Sequence, residues 1–205
     1  MKNLYLVMFF GLFFTGCINL NLRSELPEIN YYALDNLETT STEPCGAYNY
    51  IALGTIDIPS EYQGNKILQK NDLKAHYINE IKLIKGLNES LESIIIKEFN
   101  KQCIKTIIPP FSGINVENYL KIKLLDFSID KNVANVAIFY QISQKGAILQ
   151  SGIIAESSEI EFNNEKLNKE ESSKNDSDLL DSKVKALRDA SFEVVHKLAN
   201  KIIPK

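Results

Sequence analysis

Few residues in this chain of 205 are equipped for chemistry: three cysteines (Cys17, Cys45 and Cys103), two histidines (His76 and His196) and no tryptophan. Neither histidine has a recognisable serine, cysteine or carboxylate companion motif. His76 falls in a polar stretch between a strand pattern and a helix pattern, and His196, late in a helical pattern, reads as a partly exposed helix residue. The chain has no phosphate-cradling glycine loop, no dinucleotide fingerprint and no metal-ligand spacing. Glu156, Glu159 and Glu161 share an interval that would suit a cation, but such a run is usually a solvated strand end. These residues predict a protein that is not an enzyme, with no catalytic residues, metal or cofactor.

Cys17 stands apart because of what precedes it. Lys2 and the apolar run from Leu4 to Phe14 have the anatomy of a secretory signal. That run is shorter than the roughly 20 apolar residues a membrane span needs. It ends in Phe14-Thr15-Gly16-Cys17, which resembles a bacterial lipobox. Small residues before the cysteine admit the signal peptidase, and the thiol is the nucleophile that takes a diacylglycerol. Residues 1–16 are thus expected to be removed and Cys17 to be lipidated. Two or three acyl chains hold a protein stably at a membrane. Ile18 occupies the place where an inner-membrane retention signal would put aspartate, which favours the outer membrane.

Cleavage there leaves 189 residues with 22 basic and 26 acidic side chains. From Glu156 to Asp181 nine carboxylates face three lysines, so the acidity is concentrated in one segment. The near-neutral balance excludes a strongly basic nucleic-acid binder, and 44% hydrophobic content excludes a wholly disordered chain.

Residues 17–47 are polar and read as a lipidated tether, interrupted by Tyr31-Tyr32-Ala33-Leu34, a segment expected to dock on the domain. A single domain over 48–205 follows. Tyr50–Ile58 is apolar on both alternating sets, as in a strand covered on both faces, and Pro59 ends it. Lys66–Gln69 reads as a brief strand. Leu83, Leu87, Leu91, Ile94, Ile95 and Phe99 recur at helical spacing. Ile104–Ile108 predicts a short strand, and Tyr119–Ile129, Val133–Ser143 and Ala147–Ser157 predict a meander with turns at Asp130-Lys131-Asn132 and Gln144-Lys145-Gly146. Residues 163–178 hold one leucine in sixteen and read as a mobile acidic insertion. Val184, Leu187, Ser191, Val194, Val195, Leu198 and Ile202 mark a closing helix. The expected fold is α+β: a mainly antiparallel sheet of four to five strands with two helices packed on one face.

The two remaining thiols flank the first strand and helix. Cys45 precedes the strand and Cys103 follows the helix, so a helix folded back along the sheet would bring them together. A disulfide is expected, favoured by an oxidising compartment; one buried and one exposed thiol is the alternative.

Tyr31-Tyr32-x-Leu34 behind a lipobox, a strand ending in Ile58-Pro59, Tyr62, Lys66-Ile67, an amphipathic helix and Leu120-x-Ile122-x-Leu124-x-x-Phe127 together resemble the ABC-type transport auxiliary lipoprotein family, the PqiC-like proteins. The resemblance implies a periplasm-facing, non-enzymatic lipoprotein that accompanies MCE-type ABC transport systems moving lipids between membranes. Its partners would be the membrane, through the lipid anchor, and MCE-type or ABC transporter subunits, with phospholipid as a further candidate ligand. A sheet edge, or a groove between helix and loop, can serve such contacts. Tyr31, Tyr32, Pro59 and Tyr62 are the candidate contact residues; the alternative is that these tyrosines seal the edge of the core. An outer-membrane assembly lipoprotein or a cell-wall-synthase activator on a similar α+β plan is the second functional expectation.

Overall fold

The computed structural model describes residues 28–36, 45–111, 116–161 and 172–202. The signal segment, Cys17 and most of the acidic stretch 163–178 lie outside the described residues. Nine strands and two helices are present among them: β1 (Asn30–Tyr32), β2 (Asn49–Leu53), β3 (Ile67–Asn71), β4 (Lys74–Ile78), β5 (Ile81–Leu83), α1 (Leu87–Lys101), β6 (Ile104–Ile107), β7 (Asn118–Asp130), β8 (Val133–Gln144), β9 (Ala147–Glu159) and α2 (Ser172–Ile202).

The expected meander is there. β7 pairs antiparallel with β8, and β8 with β9, along nearly their whole lengths. Lys145 and Gly146, both at positive φ, supply the tight turn whose twist matches the strands it joins. On β8 every second residue from Ala134 to Ile142 is buried, the period of a strand with one covered face.

The other edge of β7 is served in relay. β2 runs parallel to its first residues (Ala52 beside Tyr119, Leu53 beside Leu120), and β3 runs parallel to its last (Leu68 beside Ser128, Lys70 beside Asp130). Between them the chain keeps contact through Gly54 N–H to Leu120 and Asp57 N–H to Ile122, then leaves β7 for a 3-10 turn at Ser60–Tyr62. Gly54 leaves room for the Tyr119 ring: a β-carbon there would come within 2.7 Å of its hydroxyl, and the ring would have to shift. β6 extends the sheet beyond β2 in parallel, and β4 extends it beyond β3 as a hairpin.

This is an α+β fold, but the sheet is mixed and larger than the expected four to five strands. Seven strands form the main sheet, and β1 and β5 form a separate parallel pair. Three departures have physical reasons. Leu83 fits the helical spacing yet belongs to β5, because Gly86 has an extended backbone and caps the helix at Leu87. His76 lies in β4, paired with Gln69, where a polar linker was expected. The closing helix begins at Ser172, inside the stretch read as an insertion.

α2 lies across β7, β8 and β9, and α1 lies beside it over β6. Val184, Leu187, Ala190, Val194 and Leu198 on α2 meet Leu91, Ile94, Ile95 and Phe99 of α1 and the inner faces of the strands in one continuous core. The Ser191 hydroxyl, fully buried, donates back to the Leu187 carbonyl at 2.7 Å, which satisfies it inside the helix.

Helix α1 ends at Lys101, and Cys103 follows two residues later. The Cys103 backbone takes the left-handed conformation (φ 58°) that commonly closes a helix. The Cys103 carbonyl accepts from Asn49 N–H at 3.0 Å, so the end of the helix meets the start of β2. There Cys45 and Cys103 are joined, with Cα atoms 5.7 Å apart.

Candidate functional site

Tyr31 and Tyr32 sit on β1, and alternation sends them to opposite faces. Tyr31 is 62% exposed. Tyr32 turns inward: its hydroxyl donates to Asp181 on α2 at 2.7 Å, and burial, the bond to that carboxylate and its charge together push the phenol well above its usual range. The docked segment is secured twice more. Leu34 is buried in the core, and the Asp35 carboxylate accepts from Lys85 at 2.7 Å while its carbonyl accepts from Lys97.

Tyr62 is only 5% exposed. Its hydroxyl donates to Asp126 at 3.0 Å, and the same carboxylate oxygen accepts from Lys70 at 2.8 Å and Ser128 at 2.7 Å. Burial and the Asp126 charge raise the Tyr62 phenol, so it stays a neutral donor. Burial opposes the Lys70 ammonium, yet its bond and charge pairing with Asp126 raise it overall. Tyr62 is therefore spent inside the protein, as the pin that holds the 3-10 turn on the sheet. Tyr32 is spent in the same way. Of the four expected contact residues, Tyr31 presents its ring to solvent, and Pro59 is half-buried at the start of the turn.

The excursion of residues 58–66 from β7 leaves a groove of about 590 Å³ against the first turn of α1. Thr55, Asp57, Ile58, Tyr62 and Gly64 line it together with Asn88 of α1. The Gly64 carbonyl accepts from Leu87 N–H, and the Asn65 carbonyl accepts from Leu83 N–H, so this groove and the β1–β5 pair are built on one support. The β1–β5 pair, which carries the exposed Tyr31, is thus tied through β5 to the segment that also lines the groove. The side chains lining the groove offer hydrogen bonds and modest apolar contact, and the Asp57 carboxylate lies 3.6 Å from Lys123. Asp126, Thr55 and Asn88 were not singled out from the sequence. The one signal was a carboxylate interrupting the alternation of β7 after Leu124-Leu125, where the ladder is bulged.

His196 and two carboxylates of the acidic run make contacts between elements. Nδ1 of His196 lies 3.1 Å from both Gln102 and Glu98, tying α2 to α1. Glu156 accepts from Lys197, and Glu161 from Lys185, so two of the three carboxylates bind α2. His76 borders a second, smaller cleft between β4 and α2 with Leu179, Leu180 and Lys183. Among the described residues there is no group of three or more metal-ligating side chains and no helix long and apolar enough to cross a membrane.

No family model matches the chain, and no curated protein matches it in sequence. Solved structures do. One uncharacterised protein shares 13% identity at a TM-score of 0.63, covering 86% of this chain and 99% of its own. A Xanthomonas campestris protein of the family DUF330 shares 10% identity at a TM-score of 0.60, covering 82% and 92%. At such identities the likeness is one of fold, and it spans nearly the whole described domain.

Proposed function

We propose that the protein is a non-enzymatic lipoprotein of the bacterial envelope, anchored through Cys17, facing the periplasm and more at home on the outer than the inner membrane. In this reading it serves as an auxiliary subunit of an MCE-type ABC transport system that moves lipids. The observation that carries the reading is the order of features: a lipobox, a short polar tether, then a tyrosine-bearing strand docked on an α+β domain. The tether sets a limit on position, since eleven residues from Cys17 to Glu28 reach at most about 40 Å. The groove beside α1 and the exposed ring of Tyr31 are the surfaces offered to a partner subunit. A bond between Cys45 and Cys103 accords with an exported protein.

Two experiments test this. In C17A, the protein should move from the membrane to the soluble periplasmic fraction while its circular dichroism is unchanged; continued fractionation with membranes would refute the anchor. A photoreactive side chain at Tyr31, activated in the native envelope, should capture an MCE-type or ABC transporter subunit. Recovery of an outer-membrane assembly machine or a cell-wall synthase would replace the transport reading with that one.

A further inference from the structure

The main sheet ends in edges of two kinds. β4 is a five-residue edge carrying Lys74 and His76, and β6 is a four-residue edge carrying Lys105 and followed closely by Pro109-Pro110. Shortness, positive charge and proline are the usual means by which an edge strand refuses a partner. β9 has none of them. It is thirteen residues long, contains no lysine, arginine or proline, and among the described residues pairs with β8 alone. It presents Ile148, Leu149 and Ile153 at 63%, 60% and 66% exposure. The one irregularity, the bulge at Leu149, turns an additional aliphatic side chain outward.

We infer that β9 pairs antiparallel with β9 of a second copy of this chain, joining the two main sheets into one. The strand is complementary to itself. A register centred on Ile153 sets that residue against its own counterpart, with Ser151 beside Ala155 on the same face, and runs unbroken over Gln150–Glu156, up to the bulge. The same register sets Glu156 opposite Gln150, and Glu159 falls beyond the bulge against the uncharged end Ala147-Ile148, so no carboxylate meets a carboxylate across the ladder. Glu156 is moreover already neutralised by Lys197 of its own chain. A two-fold pair consumes both β9 edges and closes, whereas a head-to-tail contact would propagate. This inference stands independently of the transport reading.

Native mass spectrometry of the full chain released from detergent micelles tests it. The wild type should appear as a dimer. I153K places two like charges directly opposite each other, which is destabilising across a strand pair, and should abolish the dimer peak with unchanged circular dichroism. L73K, at a fully exposed turn on the far side of the sheet, should leave the dimer intact. I153C should form a covalent dimer on mild oxidation, since opposed strand residues lie within disulfide reach. A monomeric wild type, a dimer that persists in I153K, or a dimer in which I153C does not cross-link would each overturn the proposal.

Discussion

The two flanks of β7 solve the same problem by different means. On one side, β8 and β9 follow it immediately in the chain, and each pairs with the strand before it through a tight turn. On the other, β2 and β3 arrive from earlier in the sequence and share a single edge, and the partner of β2 on its outer side, β6, comes fifty residues later. Hairpin pairing closes short loops, and its entropic cost is small. Parallel pairing needs long crossovers, so the second flank must be held by something other than its neighbours in sequence. It has three such devices: the Cys45–Cys103 bond, the Asp126 carboxylate accepting from Tyr62, Lys70 and Ser128, and the docked segment around Asp35. A strand assembled from distant parts requires fasteners; a meander does not.

The strongest test strikes both flanks at once. Phe127, fully buried on β7 opposite Val136, belongs to the core under both. F127A should cost about 3–5 kcal/mol in chemical denaturation, the usual range for emptying a core aromatic site. Amides of β2 and of β8 should lose protection together. Next comes the disulfide. Cys45 and Cys103 enclose a loop of 58 residues, and releasing it in C45A/C103A should cost about 4 kcal/mol in the chain-entropy account. Hydrogen exchange should then separate the flanks, with β2 and β6 opening below the global transition while β8 stays protected. Equal loss across the sheet would break the comparison.

The same division explains what was legible in the sequence. The strands of the hairpin flank were bounded to within one or two residues, because alternation and turn residues are local signals. Leu34 was correctly expected to dock, since an aliphatic residue among polar ones has one obvious use. The parallel flank was read less well. β4 and β5 were missed because Lys74-Ala75-His76-Tyr77-Ile78 lies at an edge and carries only one buried residue. Leu83 was drawn into the helix because a buried strand residue four places before Leu87 mimics a helical turn. The candidate surface was half legible. Aromatic type drew attention to Tyr31, Tyr32 and Tyr62 alike, but exposure depends on which face of a strand or turn each occupies. The groove is assembled by Thr55, Tyr62 and Asn88, residues brought together by the relay along β7, and no spacing announces a relay.

The smallest effect expected is at Asp35, and its sign with pH is what makes it informative. Burial alone would raise this carboxyl, but the bonds from Lys85 and Ser93 and the charges of Lys85 and Lys97 outweigh it, leaving it below its ordinary value. A depressed carboxyl stabilises the fold wherever it is ionised in both states, above the unfolded value of about 3.9, and that contribution disappears as the pH falls through the folded value. Lys85 remains half exposed, so solvent screening limits the interaction. D35N should therefore cost about 1 kcal/mol at neutral pH, with the loss confined to the β1–β5 pair and the segment docked on α1. Denaturation of wild type and variant should converge as the solution is acidified below pH about 3.9. A difference that persists in acid would mean that Asp35 acts through packing and not through its charge, and the docked strand would then be held by Leu34 and Tyr32 without the ion pair.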